Sequence, residues 1–248
     1  MPGLSNIKDN YVSIIFVHHA QNEERSLLAR ASLKSLEGTI HSSAEIIVVD
    51  NGGNLEDSKF FLTECDKKNI ALYIRNADNM YFSWARNQAI MNITANWVAI
   101  VDDDIMYKDH WLEWCLTMLR AHSDKKFIAS PINYPYVHKR DHRWRHGQIP
   151  VKRRQCNLTE RAGSNCMVMR RSVLEEVGLF DLRRKAGGLY VDRLIRAGYL
   201  VITPEVNWAY DCGLRRGFNF KKPYSVDRTL SNGDKINFTH FPKCPKLP

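Results

Sequence analysis

The chain lacks the spacings of a metal–thiolate module. Its cysteines, at 65, 115, 156, 166, 212 and 244, form no CxxC and no pair at zinc-ligand distance, so no small zinc domain is expected. Scattered through 248 residues, they read as reduced thiols of a cytoplasmic protein, most of them core fillers. No apolar run approaches the ~20 residues that span a bilayer. The opening MPGLSNIKDNYVS has neither an apolar core nor a cleavage site, so no signal peptide is expected. Helix-turn-helix, zinc-finger and RNP-like patterns are also missing, so the formal charge of +9 carries no nucleic-acid signature. The loop His18-His19-Ala20-Gln21-Asn22 contains no glycine, which disfavours the glycine-rich phosphate loop of a nucleotidyltransferase.

What is present is ordinary globular composition, 44% hydrophobic and 25% charged. A chain of this length buries roughly 70% of its unfolded surface without disulfides. Val12–Val17 and Ile46–Val49 are unbroken β-branched runs, hence buried strands. Asn22 caps a helix whose Ala29, Leu33 and Leu36 share one face. Asp50-Asn51-Gly52-Gly53 closes the second strand as a turn. A helix near Glu56–Lys67, a short strand Ala71–Ile74 and a helix Tyr81–Ile93 follow. Trp97–Val101 is another buried strand, then a strongly amphipathic helix from Trp111 with Asp109 as N-cap. The order predicts an α/β fold with a mostly parallel sheet. In the second half, 134–160 reads as a basic loop, Cys166–Met169 and Tyr199–Ile202 as strands, and Val173–Val177 and Val191–Ala197 as helices. The expected organisation is one domain over 1–212, with halves at about 10–105 and 106–212, and a tail or lid over 213–248.

Ligands of such sheets bind beyond the carboxyl ends of the strands. Two polar clusters fall there: Asp50-Asn51 and Asp102-Asp103-Asp104. Three adjacent carboxylates repel one another and call for a counter-charge. In extended backbone Asp102 and Asp104 point to one side, and two hard oxygen ligands suit Mg²⁺ or Mn²⁺. A metal held there would clamp a diphosphate and stabilise its charge on departure.

Five segments carry a resemblance in order. VSIIFV…NEE, EIIVVDNGG, NADNMYFSWARNQAI, WVAIVDDDIMYKDHWLEW and SNCMVMRRSVLEEVGLFD, with RLIRAGYLVITPE after them, resemble the family 2 glycosyltransferases of the GT-A fold. The match runs from about Val12 to Glu205. It implies a Rossmann-like mostly parallel sheet flanked by helices, with a smaller acceptor-side region. It implies transfer from a nucleotide-sugar donor, commonly UDP-linked, to a glycan, glycolipid or other hydroxyl acceptor. By the same resemblance, His18 and Glu23 approach the base, Asp50 and Asn51 the base or ribose, Arg86 and Asn87 the diphosphate and sugar. Asp102 and Asp103 border the donor, and Asp104 with Asp102 holds the metal. A carboxylate can accept from ribose hydroxyls, and an arginine fork suits phosphate.

Two positions depart from the family pattern. Inverting members carry an acidic pair where this chain has Ala186 and Gly187. Transfer needs a base for the acceptor hydroxyl, and Asp192 is the nearest acid, with Asp181, Glu205 and Asp211 as fallbacks. Where some GT-A enzymes place a histidine ligand, Tyr210 and Asp211 stand here; Asp211 is an acceptable oxygen ligand, and His240 lies farther on. The basic stretch 138–155 borders the acceptor side in that fold. There Arg143, Trp144 and Arg145 could meet a phosphorylated or lipid-linked acceptor, or the inner face of an anionic membrane. The missing acidic pair keeps an alternative open, a catalytically silent GT-A-like module that binds nucleotide or glycan.

Overall fold

The computed structural model describes residues 11–20, 22–132, 145–151, 154–159, 163–182, 186–212, 227–229 and 235–237. The first strands are β1 (Val12–His18), β2 (Ala44–Asn51), β3 (Leu72–Asn76) and β4 (Trp97–Asp102). Helices α1 (Glu23–Gly38), α2 (Leu55–Asp66) and α3 (Phe82–Ile90) connect them. Asn22 and Asn54 each start a helix by accepting an N–H three residues on, from Arg25 and Asp57. After β4 come β5 (Ile105–Tyr107), α4 (Trp111–Ala121), β6 (Phe127–Ala129), β7 (Arg145–Val151), β8 (Arg154–Thr159) and β9 (Cys166–Arg170). Then follow α5 (Arg171–Val177), α6 (Ala186–Arg196), β10 (Leu200–Pro204) and β11 (Ala209–Asp211).

Nine strands form one sheet in the order β3-β2-β1-β4-β9-β6-β10-β8-β7. β3, β2, β1 and β4 are parallel, β9 runs against β4 and β6, and β10 is parallel to β6. Only β8 and β9 oppose the common direction, so the sheet is mostly parallel, as the strand and helix order predicts. Alternation along β1 lines both faces. Ile14 and Phe16 join Leu33 and Leu36 of α1, Phe61 of α2 and Trp111 of α4. Ile15 and Val17 join Ala85 and Ala89 of α3, Val173 of α5, and Tyr190 and Leu194 of α6. The core is therefore two apolar layers, one on each side of the sheet.

Several sequence expectations need correction. The basic stretch is not all loop, because β7 and β8 form an antiparallel hairpin at the sheet edge. Its alternation was hidden by the arginines and the proline in RHGQIPV and RQCNLT. The α4 N-cap is His110, in the left-handed region at φ 65°, and it makes no side-chain cap bond; Asp109 stands one residue earlier. Helix α6 begins five residues before the expected Val191, through Ala186-Gly187-Gly188, glycines that a propensity count penalises. Cys115, Cys156 and Cys166 are buried, and Cys65 and Cys212 are half-buried. Among the described residues no helix is long and apolar enough to cross a membrane.

The chain divides into two compact units, Met1–Cys212 and Gly213–Pro248. The second contains an antiparallel pair, β12 (Asp227–Thr229) and β13 (Lys235–Asn237).

Candidate active site

Strand β4 ends at Asp102, and Asp103 and Asp104 form the turn into β5. The antiparallel ribbon of β5 with β11 sets Asp211 opposite Ile105, beside Asp104, and the Cys212 N–H donates to the Asp104 carbonyl at 2.8 Å. Asn165, in the turn before β9, accepts from the Asp102 N–H at 2.8 Å through its carbonyl and donates to Asp211 Oδ2 at 2.8 Å. Asp102, Asp103, Asp104 and Asp211 therefore all lie along the carboxyl edge of the sheet.

Each is offset differently. Asp102 Oδ1 takes a 2.7 Å bond from Arg86, whose guanidinium also reaches the Ser164 carbonyl at 2.7 Å. Arg86 is wholly buried, with its guanidinium carbon 3.8 Å above the Phe82 ring and 4.9 Å from Phe180. Burial lowers the Arg86 pKa and pushes the Asp102 carboxyl well up, and each partner's charge opposes the shift of the other. Asp103 is saturated: Oδ2 accepts from the His18 ring at 3.0 Å and the His19 N–H at 3.2 Å, and Oδ1 from Arg25 at 2.9 Å. Asp104 Oδ2 has Arg25 at 3.0 Å, and no other side-chain hydrogen bond to Asp104 occurs among the described residues. Burial, then Asp103 and Asp211, hold the Asp104 carboxyl up at about 6 despite Arg25.

His18 is locked rather than open. Fully buried at the end of β1, it lies 3.0 Å from Asp103 through Nδ1 and 3.0 Å from Asp57 through Nε2. Burial alone would lower its pKa, but the bonds to Asp103 and Asp57 win and raise it to about 9. Ser26 and Arg30 also donate to Asp57. A chain Asp57–His18–Asp103–Arg25–Asp104 thus ties α2, β1 and α1 to the acidic turn. Because His18 titrates higher in the folded state than its ordinary 6.5, its stabilisation is complete below pH 6.5 and is lost as pH rises through about 9. We expect the urea midpoint to fall by the equivalent of roughly 3 kcal/mol across that window. His18→Asn should flatten this slope, and an equally steep alkaline slope in the variant would refute the assignment.

The remaining predicted residues are spread along the same edge. Asp50 is buried and saturated: Oδ1 accepts from the Gly53 N–H at 2.7 Å, Oδ2 from Ser58 and Tyr73 at 2.8 Å each. Asn51 accepts from Asn76 and the Met80 N–H and donates to Asn79. Gly52, at φ 78°, lets this loop approach the next, since a Cβ there would stand 2.6 Å from the Asp78 carbonyl carbon. Asn87 clamps the Phe180 backbone with both amide atoms at 2.9 Å, so Arg86 and Asn87 join α3 to the second half of the domain. Glu23 is exposed in the first turn of α1. Asp181 directly follows Phe180, whose backbone Asn87 holds and whose ring lies under Arg86. Asp192 lies five residues past Gly187 on α6, about 7.5 Å down the helix axis. That helix runs from Ser164 towards the opposite edge of the sheet, where β10 begins. Gly187 itself is packed so that a Cβ would overlap Ser164 Oγ. Arg143, Trp144 and His240 lie outside the described residues, and Arg145 opens β7.

The family model for glycosyl transferase family 2 matches residues 14–178. The chain belongs to that family. Its fold is similar to the mannosyltransferase PcManGT from Pyrobaculum calidifontis, solved with GDP-Man and Mn²⁺. The two share a TM-score of 0.64 and 18% identity over 83% of this chain and 58% of that one. Residues 1–349 of S. aureus TarS align with a TM-score of 0.60 and 14% identity, over 81% of this chain and 60% of that one. The chain thus spans less than two thirds of each of these structures. No curated protein sequence matches it.

The acidic turn suits a hard divalent cation in its chemistry, though no three such ligands already converge among the described residues. Mg²⁺ and Mn²⁺ sites of this kind need only one or two carboxylates, with water and phosphate completing the shell. Burial first, and then the neighbouring Asp103 and Asp211, raise the Asp104 carboxyl more than Arg25 lowers it.

Sequence reasoning missed Arg25 and Asp57. Both had a signal. Arg25 extends the Ala29–Leu33–Leu36 stripe one turn towards the helix start, and Asp57 shares the inward face of α2 with Phe61 and Glu64. A charge on an apolar stripe implies a buried partner.

Proposed function

We propose that the chain transfers a sugar from a nucleotide-sugar donor, UDP-linked or similar, to a hydroxyl acceptor, as an inverting hexosyltransferase. The observation that carries this is the crowding of Asp102, Asp104 and Asp211 at the carboxyl edge of the sheet, with Asp104 held up at about 6. A cation bound by Asp104 and Asp102, with Asp211 alongside, would supply charge neutralisation for the departing diphosphate. The protein's own part is to fix that turn through Arg86 and the His18 chain, so little reorganisation is needed when charge develops.

Asp181 is the base this geometry favours over Asp192, because it adjoins the Phe180–Arg86–Asn87 junction at the site end of α6. In this scheme the acceptor oxygen attacks the anomeric carbon as the bond to the diphosphate breaks. Its proton passes to the Asp181 carboxylate, and nucleoside diphosphate leaves. The basic stretch 138–155 would face an anionic or lipid-linked acceptor, with peripheral contact to an anionic cytoplasmic membrane face.

A second reading, the silent binding module, is favoured by Ala186 and Gly187, which put no carboxylate where the family carries its acidic pair, Gly187 packing against the Ser164 hydroxyl instead. Nucleoside diphosphate release from a panel of nucleotide sugars, with Mn²⁺, Mg²⁺ or EDTA and mixed acceptors, separates the two. Turnover of one donor that EDTA abolishes is the expected result. Binding of donors with no release under any condition would establish the silent module instead.

A further inference from the structure

Among the described residues three cations face the acidic turn, and they differ in freedom. Arg86 and His18 are fully buried, His18 bonded through both ring nitrogens and Arg86 through one guanidinium nitrogen to Asp102 and the Ser164 carbonyl. Arg25 is different. Its side chain retains 22% exposure at the first turn of α1, so it can swing into solvent. Its guanidinium bridges Asp103 Oδ1 at 2.9 Å and Asp104 Oδ2 at 3.0 Å. The two bonds are unequal in consequence. Asp103 keeps His18 and the His19 N–H if Arg25 leaves, so the turn stays anchored. Asp104 loses its side-chain partner and becomes available.

We propose that Arg25 is an exchangeable counter-ion, which holds Asp104 while no divalent cation is bound and must release it before one can bind. This rests on the metal-dependent transferase reading. A guanidinium and a divalent cation within bonding distance of one carboxylate repel each other strongly at the effective dielectric of a protein surface. Coordination of Asp104 is therefore coupled to movement of Arg25. The arrangement keeps the empty turn from the self-repulsion of its three carboxylates, at the expense of weakened affinity for the free cation. It makes firm cation binding depend on the donor, whose diphosphate adds ligands and negative charge.

The test is Mn²⁺ binding to the full chain without donor, followed by loss of the aqueous Mn²⁺ electron paramagnetic resonance signal. Arg25→Gln is expected to bind Mn²⁺ about tenfold more tightly than wild type, from removal of one competing charge. Arg25→Lys, whose single ammonium cannot span both carboxylates, should fall between them. Mn²⁺ should also raise the melting temperature of Arg25→Gln more than that of wild type. A measurement on the wild type alone needs no variant to fold: the Arg25 guanidinium nitrogen resonances should shift on Mg²⁺ saturation. Equal or weaker Mn²⁺ binding by a folded Arg25→Gln overturns the proposal, as do Arg25 resonances that Mg²⁺ leaves in place. Either result leaves donor turnover in the presence of Mn²⁺ untouched. Absence of Mn²⁺ binding to wild type even with UDP or GDP present would instead sink the metal-dependent reading beneath it.

Discussion

Asp104→Asn is expected to lower nucleoside diphosphate release by at least on the order of 100-fold, the loss typical of disturbing even a metal's outer shell. At the same time it should raise the stability of the metal-free protein. The second half follows from sign. An acid whose folded pKa is raised penalises the folded state once it ionises. For Asp104 the penalty starts above the ordinary 3.8 and is complete above about 6. Asparagine has the same shape and no charge, so at neutral pH it relieves a strain of up to about 3 kcal/mol. The value of about 6 already contains the pull of Arg25, and solvent at the partly exposed turn reduces the gain. A net gain of about 1 kcal/mol would raise the melting temperature by roughly 2–4 °C. Below about pH 4 wild type and variant should converge, because both are then neutral at 104. Loss of both turnover and stability would make Asp104 a structural residue. Full turnover in the variant would take the acidic turn out of the chemistry.

That combination identifies a functional site physically: a group that harms the fold and is kept for something else. It also explains which parts of the molecule were legible in the chain. The strands β1, β2 and β4 are unbroken apolar runs, and unbroken runs are what a sheet covered on both faces requires. Their carboxyl ends could be located by reading to the next polar residue, which gave Asp50 and Asp102. The turn at Asp102–Asp104 could be placed because the apolar run of β4 ends at its first carboxylate; that Asp103 spends its oxygens on His18, His19 and Arg25 could not be read. What could not be read was direction. Asp50 and His18 occupy the expected places, yet both point into the protein and spend their polar atoms on Gly53, Ser58 and Tyr73, or on Asp57 and Asp103. One residue of register decides whether a side chain at a strand end faces ligand or core, and register comes from pairing between distant segments. The hairpin β7–β8 was missed for a related reason: at a sheet edge, charge and proline are tolerated, so the pattern of a buried strand is absent.

Arg86→Met is expected to destabilise the domain by about 3 kcal/mol, the lower end of the loss on removing one partner from a buried ion pair, because the Asp102 side chain stays 25% exposed. Methionine keeps the stem only as far as the Nε position, so the guanidinium stacked on Phe82 and Phe180 leaves a small void that adds to the loss. What goes is the charge beside Asp102, the donor to the Ser164 carbonyl, and a cation 3.8 Å over an aromatic ring. Asp102 then has burial and two neighbouring carboxylates pressing its pKa upward, with nothing pulling it back. It should take a proton, and the deficit against wild type should be smaller at about pH 5 than at about pH 8, since a neutral Asp102 needs no counter-ion. The double variant Arg86→Met/Asp102→Asn removes the stranded charge along with its partner. It should regain much of the lost stability, with a coupling on the order of 1–3 kcal/mol in a double-mutant cycle. It should not regain turnover, because Asp102 is gone from the turn. Urea midpoints of the four proteins, together with nucleoside diphosphate release, settle the matter. If Arg86→Met lies within about 1 kcal/mol of wild type, the range of ordinary surface changes, the pair does not hold the turn. If the double variant is no more stable than Arg86→Met, the loss belongs to the Ser164 contact and the seam between α3 and β9. The charge on Asp102 would then have had no part in it.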